Sequence, residues 1–131
     1  MKIFITRKLP EIAEQMLKKE GFKVSVNKAD RIITKEELIK GAKNCDALIS
    51  LVSDPVDKEV IDNLDNCKII ANYAVGYNNI DYKYARSKGI VVTNAPDVLT
   101  ESTADLSLAL LLACARRLPE GEEMVRTGCF N

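Results

Sequence analysis

A short loop in the second half of the chain carries the residues best suited to binding chemistry. It reads Tyr73-Ala74-Val75-Gly76-Tyr77 and follows an apolar segment that ends at Asn72. Gly76 lets the backbone approach a ligand closely, and consecutive N–H groups at the end of a strand can cradle a carboxylate or a phosphate. The same glycine could instead serve only to form the turn. The loop therefore indicates either an anion-binding site or a tight connection.

Charged residues at two other places are weaker candidates. Asp54 and Asp57 flank Pro55, and paired carboxylates can perform acid–base chemistry. We favour a structural role for this pair, in which it ends a loop and caps a helix. Arg7 and Lys8 follow the first apolar segment and could hold an anion, although exposed charges in loops are more often only solvated.

Residue types that are missing from the chain exclude several mechanisms. There is no histidine, so no imidazole of this chain can act as a base, a proton shuttle or a metal ligand. The four cysteines form no C-x-x-C pair, which favours reduced apolar thiols over a disulfide or metal site. Neither G-x-G-x-x-G nor G-x-x-x-x-G-K-[ST] is present. We expect no catalytic side chain, no metal and no bound cofactor on this chain alone.

Composition is typical of a globular domain. The 131 residues are 47% hydrophobic and 29% charged, with a formal net charge of zero, and this length can bury a real core. Without a positive charge or a basic run, we expect neither nucleic acid nor a membrane surface as a partner. Charged residues follow the first apolar residues of the N-terminus too closely for a signal peptide. No apolar run is long enough to span a bilayer. These two observations predict a cytoplasmic protein.

Apolar segments alternate with amphipathic ones along most of the chain. Strands are expected at residues 3–5, 24–26, 47–52, 68–72 and 90–93. Helices are expected after Pro10, Thr34, Asp57 and Asp81, with Thr34 and Glu37 at capping-box spacing. This alternation predicts an α/β fold, a flavodoxin-like doubly wound five-stranded parallel sheet in the order 2-1-3-4-5. Ligands bind beyond the carboxyl ends of such strands, where the loop after Asn72 lies.

A long apolar helix is expected after the fifth strand. Nine of the ten residues from Leu106 to Ala115 are apolar, and Ser102 and Asp105 have capping-box spacing at its start. A helix that is apolar all round must be buried on several sides, so it needs another domain or another chain. We therefore divide the chain into a flavodoxin-like domain, 1–99, and a long helix with a truncated tail, 100–131.

Several stretches resemble the D-isomer-specific 2-hydroxyacid dehydrogenases. The run Tyr73-Ala74-Val75-Gly76-Tyr77-Asn78-Asn79-Ile80-Asp81 resembles the G-Y-D-N-I-D loop of that family, with Asn78 where the family usually has Asp. Residues 89–100 and 102–105 resemble its G-I-x-V-T-N-x-P-x-V-L-T and T-A-D signature. Residues 4–10 and 51–54 are similar to the glyoxylate/hydroxypyruvate reductase branch.

This resemblance implies a two-domain enzyme of which the chain is the substrate domain. The nucleotide-binding domain, which in the family holds G-x-G-x-x-G and the catalytic Arg, Glu and His, is absent from these residues. The implied reaction passes hydride between NAD or NADP and C2 of a small 2-oxo acid. By resemblance, the amides of Ala74, Val75 and Gly76 meet the substrate carboxylate. Leu51 lies beside the reacting end of the substrate, and Thr103 lies near the nicotinamide.

The resemblance also implies a homodimer through the long helix. We expect residues 102–127 either to fold back over an uncovered face of the sheet or to exchange with a second copy. Three functions stay open. The first is the substrate-binding part of a 2-hydroxyacid dehydrogenase, inactive alone; the second is a stand-alone flavodoxin-like interaction domain. The third is a sensor that holds a 2-oxo acid without converting it.

Overall fold

The computed structural model describes residues 1–29 and 31–129 and contains one parallel sheet with helices on both faces. The strands are β1 (Lys2–Ile5), β2 (Lys23–Val26), β3 (Ala47–Leu51), β4 (Ile69–Tyr73) and β5 (Val91–Thr93). The helices are α1 (Glu11–Lys19), α2 (Lys35–Ala42), α3 (Lys58–Asp62), α4 (Tyr82–Ser87), α5 (Thr100–Ala115) and α6 (Leu118–Thr127). The strand order is β2-β1-β3-β4-β5, which confirms the flavodoxin-like α/β fold.

Alternation along the strands divides the core into two layers. Successive side chains of a strand point to opposite faces, so Phe4 and Leu48 join one layer while Ile3 and Ile5 join the other. The larger layer packs against apolar residues of α2, α3 and α4. The smaller layer packs against apolar residues of α1, and Val91 of β5 stays 57% exposed.

The N-caps predicted for α2 and α3 are present in the structure. Thr34 Oγ1 accepts a hydrogen bond from Glu37 N at 3.3 Å, and Glu37 Oε2 accepts one from Thr34 N at 3.0 Å. Hydrogen bonds from Arg31 lower the pKa of Glu37 to about 2, so this capping carboxylate stays ionised over most of the pH range. Asp57 Oδ1 accepts from Val60 N at 3.1 Å and caps α3.

Residues 102–127, expected to contain the long dimer-forming helix, form parts of two helices rather than one. Helix α5 ends at Ala115, and Arg117 takes a left-handed conformation with φ of 51° before α6 begins. Pro119 lies in the first turn of α6. Proline has no N–H group, so it is tolerated at the start of a helix but could not continue the hydrogen bonding of α5. The capping box at Ser102 is also wrong, since Ser102 Oγ donates to Leu99 O at 3.1 Å and no side chain caps α5.

The chain divides into two compact units, Met1–Pro96 and a second that starts at Asp97. In the second unit, five leucines of α5 are 57–62% exposed, namely Leu106, Leu108, Leu110, Leu111 and Leu112. The partner that would cover this apolar helix, and its fold-back or exchange, stay predictions. Among the described residues, none of the helices has the length and apolar character needed to cross a bilayer.

Close packing between α2 and β1 leads to a stability prediction. A Cβ at Gly41 would overlap the ring of Phe4, and that ring lies in the core with only 6% of the residue exposed. Overpacking of this kind costs about 1–3 kcal/mol, which exceeds the roughly 1 kcal/mol that alanine gains over glycine in a helix. We expect Gly41→Ala to lower the free energy of unfolding in urea by about 1 kcal/mol.

A second substitution tests the cause of that loss. Phe4→Leu in the Gly41→Ala background makes room for the added methyl, so the two substitutions together should cost less than the sum of each alone. Additive losses would show that the overlap between Gly41 and Phe4 is not the reason.

Candidate anion-binding site

The loop of residues 74–79 leaves the carboxyl end of β4 beside the end of β3. Leu51 pairs with Tyr73 in the parallel register of these two strands, so Leu51 lies next to the start of the loop. The structure thus brings Leu51 together with Ala74, Val75 and Gly76. Thr103 belongs to α5 in the other unit.

Some backbone N–H groups of this loop already donate a hydrogen bond within the chain, and others do not. Ala74 N donates to Asn72 O at 2.8 Å. The N–H groups of Val75 and Gly76 have no hydrogen-bond partner among the residues that the structure describes. Val75 is 40% exposed, so these two adjacent amides are accessible from solvent. Two neighbouring free N–H groups can bind one anion.

Gly76 is not required by the shape of the turn. Its φ lies outside the left-handed region, which other glycines of this chain occupy. A Cβ added at Gly76 would meet no atom of the described residues within 4 Å. A positive φ, the usual reason for a glycine in a turn, therefore does not explain Gly76, and the space beside its Cα is open.

Asn79 ties the loop to the neighbouring β3 connection. Its Nδ2 donates to Leu51 O and to Asp54 O, both at 3.0 Å, and its Oδ1 accepts from Asn72 Nδ2 at 3.0 Å. Asn72 is only 4% exposed, and Ser50 Oγ donates to its Oδ1 at 2.9 Å. These buried amide groups fix the ends of β3 and β4 relative to each other.

Asp54 has a structural role, as the sequence indicated. Its carboxylate is 2% exposed and accepts hydrogen bonds from Thr6 Oγ1 at 2.5 Å and from Leu51 N at 2.8 Å. The neighbouring Asp57 caps α3, so the two carboxylates have separate tasks and do not form an acid–base pair. Arg7 and Lys8 follow β1 at the same edge of the sheet, where their binding of an anion stays a prediction.

The side chains that support the loop were not assigned this role from the sequence. They are Asn72, Asn79 and Asn94, the last of which donates from Nδ2 to Val75 O at 2.6 Å. A usable signal was present at Asn72, because a polar side chain at the end of an apolar buried strand must find partners. Asn79 and Asn94 lie in the two family-like motifs, but a motif does not show which groups their side chains bind.

A phosphate-binding loop places its glycines between a strand and the N-terminus of a helix. Of the glycines, Gly76 lies in such a place, between β4 and α4, whereas Gly21, Gly89 and Gly128 follow helices. The residues around Gly76 form neither G-x-G-x-x-G nor G-x-x-x-x-G-K-[ST], and the absence of a bound cofactor from this chain stays a prediction. Thr103 N is engaged with Leu99 O at 2.9 Å, and its place near a nicotinamide stays a prediction.

Comparison with known proteins identifies the family. The sequence model of the family described as "D-isomer specific 2-hydroxyacid dehydrogenase, catalytic domain" matches residues 3–119. The chain belongs to this family. It is 50% identical over 127 residues to the glyoxylate reductase of Pyrococcus horikoshii, and 49% identical over 127 residues to that of Pyrococcus furiosus. These alignments cover 97% of this chain and 38% of each enzyme.

Solved structures agree with this family membership. The crystal structure of the TT0316 protein from Thermus thermophilus superposes with a TM-score of 0.92 and 44% identity, over 100% of this chain and 42% of that one. The family expectation drawn from residues 73–81 and 89–105 is therefore confirmed. This family member spans about two fifths of the length of the relatives that it matches.

Proposed function

We propose that this chain is the substrate-binding part of an NAD(P)H-dependent oxidoreductase that reduces a small 2-oxo acid to the D-2-hydroxy acid. The observation that carries the proposal is the pair of free amides at Val75 and Gly76, which belong to exposed residues at the carboxyl edge of the sheet. Similarity to two enzymes named glyoxylate reductase favours glyoxylate or hydroxypyruvate as the substrate.

Carboxylate binding by the loop follows from the charge of the substrate. A 2-oxo acid is an anion at neutral pH, and hydrogen bonds from N–H groups to a charged oxygen are stronger than those to a neutral one. Ala74 shapes the loop because its own amide is engaged with Asn72 O. Val75 and Gly76 then supply the donors, while their side chains leave the approach to the backbone open.

Leu51 contributes through its side chain. Its N–H donates to Asp54, and its carbonyl accepts from Asn79, so both backbone groups are occupied. The half-buried apolar side chain is left to form a wall beside the end of the substrate that reacts. A wall of this kind excludes water but does not move a proton.

The chain alone is proposed to be inactive. The nicotinamide cofactor supplies hydride when it is bound, and the sequence contains neither of the glycine motifs that hold nucleotide phosphates. The chain also has no histidine to protonate the carbonyl oxygen. Both contributions must come from residues outside this chain, which is the reason to treat it as one part of a catalytic unit.

A chimera tests this proposal. The 127 matched residues of the Pyrococcus horikoshii glyoxylate reductase are replaced by the corresponding residues of this chain, which keeps the remainder of that enzyme. We expect the chimera to oxidise NADH or NADPH when glyoxylate or hydroxypyruvate is added. We expect the 131-residue chain alone to show no turnover.

The unmodified glyoxylate reductase is the control for assay conditions. A chimera that is folded and binds the cofactor, yet reduces neither acid while the control enzyme is active, would contradict the proposal. Tight binding of glyoxylate to the isolated chain, measured by calorimetry, would instead favour the sensor function.

We also propose a homodimer formed through the apolar helix. The leucines of α5 are 57–62% exposed, and contiguous apolar surface of this kind marks an interaction site. Burial of one leucine stabilises an interface by about 1.5–3 kcal/mol. We therefore expect sedimentation to show a dimer that Leu110→Glu with Leu111→Glu weakens by more than about tenfold. A wild-type chain that stays monomeric at all concentrations would contradict this.

A further inference from the structure

We propose that three amides receive the substrate carboxylate, the third being that of Tyr77, and that Asn94 and Asn72 are the positioning residues that turn these amides outward. This inference rests on the proposed function for the use of the amides. The orientation of the loop itself is argued from the hydrogen bonds of the chain.

Three consecutive carbonyl groups of the loop are held by the rest of the domain. Ala74 O accepts from Ala95 N at 2.9 Å, Val75 O from Asn94 Nδ2 at 2.6 Å, and Gly76 O from Asn72 Nδ2 at 2.8 Å. Every carbonyl in this run therefore points toward a donor of the domain. The three donors come from the end of β4 and from the segment after β5.

Because the peptide group is planar, these three carbonyl contacts also fix the directions of three N–H groups. In a trans peptide the N–H of each residue points opposite to the carbonyl of the residue before it, and the described part of the chain contains no cis bond. The N–H groups of Val75, Gly76 and Tyr77 therefore point away from the domain. The amide of Tyr77, like the other two, has no partner among the described residues.

Two of these N–H groups have a side chain that positions them. Asn94 orients the peptide that carries the Gly76 N–H, and Asn72 orients the peptide that carries the Tyr77 N–H. Asn72 is itself locked, because it is 4% exposed and bonded to Ser50 and Asn79. The side chain of the half-buried Asn94 makes one hydrogen bond in the described part of the chain, so a change there acts on one peptide alone.

A carboxylate has room for a third donor. Its two oxygens offer about four lone-pair positions, so the amides of Val75 and Gly76 leave capacity for Tyr77. The ring of Tyr77 packs edge-on against Tyr82, with ring centroids 5.3 Å apart and an interplanar angle of 84°. This contact holds the residue that follows Gly76 and limits rotation of the loop.

The positioning role of Asn94 is tested with a matched pair of variants in the chimera. Asn94→Asp keeps the shape of the side chain but replaces its donor with a charged oxygen, which repels the Val75 carbonyl. Asn66→Asp adds the same charge to an exposed residue that precedes β4, at the opposite edge of the sheet, and that makes no hydrogen bond among the described side chains. We expect Asn94→Asp to raise the KM for the 2-oxo acid by about tenfold to a hundredfold, with the KM for the cofactor unchanged. Asn66→Asp should change neither KM.

Orientation is measured separately from activity in the 131-residue chain. Residual dipolar couplings report the direction of each N–H bond, and we expect Asn94→Asp to change the coupling of Gly76 while Asn66→Asp leaves it unchanged. Unchanged couplings, or changed couplings without any change in KM, would overturn the positioning role. If the chimera with the wild-type chain is inactive, the proposed function fails, while the couplings still decide whether Asn94 orients the loop.

The third donor is tested by Tyr77→Pro against Tyr77→Ala. Both variants lose the ring, but only proline removes the N–H. We expect the KM for the 2-oxo acid to be about tenfold higher for Tyr77→Pro than for Tyr77→Ala. Equal KM values for the two variants would overturn the assignment of the Tyr77 amide.

Discussion

Replacing Gly76 by alanine in the chimera is expected to lower kcat/KM for glyoxylate by about a hundredfold, the loss that a misplacement of about 1 Å produces at a reacting centre. The added methyl meets no atom of the described residues within 4 Å, so the fold should accept it. The methyl adds bulk beside the backbone of Gly76, where glycine lets a ligand approach the amides of Val75 and Gly76 most closely. The substrate would then bind farther from both donors.

Kinetics and thermal unfolding of the same variant separate an effect on substrate binding from an effect on the stability of the fold. We expect an unchanged Tm together with the loss in kcat/KM. Gly121→Ala is the matched control, because its added Cβ also enters open space, in α6, and its φ is not positive. If Gly76→Ala retains full activity, the carboxylate does not bind over these amides.

Asp54→Ala should cause the largest loss of stability, about 2–6 kcal/mol. The substitution removes the acceptor of three donors, namely Thr6 Oγ1, Leu51 N and, at the longer distance of 3.4 Å, Ser53 Oγ. Of these residues Thr6 is fully buried. Each buried donor without a partner costs about 1–3 kcal/mol. The free energy of unfolding in urea measures the loss.

Asp65→Ala is the control for removal of a carboxylate from the surface. Asp65 is exposed, so this change should stay within about 0.5 kcal/mol of wild type. A loss of similar size in the two variants would show that the Asp54 hydrogen bonds add little. Asp54→Asn, which keeps one acceptor oxygen, should lose less than Asp54→Ala.

Local sequence patterns were sufficient to predict most of the fold. Alternating apolar runs located the five strands, and the spacing of Thr34 with Glu37 located the start of α2, because each signal depends on residues within one turn or one strand. The break after Ala115 was missed for a physical reason. Arg116 and Arg117 interrupt the apolar run, but arginine is common within helices, and the left-handed Arg117 has no side-chain signature comparable to glycine.

The candidate site was only partly accessible from sequence. Gly76 and its neighbours were recognised from the loop composition and the family resemblance. Asn79 and Asn94 lie in the family-like stretches, but their contacts could not be predicted, because their hydrogen bonds join residues 19 to 28 positions apart and depend on the strand order. The engagement of the Ala74 amide with Asn72 O could not be read from sequence either, since it is a property of the backbone path.

The most direct test is a crystal structure of the chimera with cofactor and oxamate, an unreactive analogue of a 2-oxo acid. The account predicts an oxamate carboxylate oxygen about 2.7–3.1 Å from the amide nitrogens of Val75 and Gly76, with Leu51 beside the other end of the molecule. A carboxylate bound elsewhere, with these two amides in contact with solvent, would contradict it.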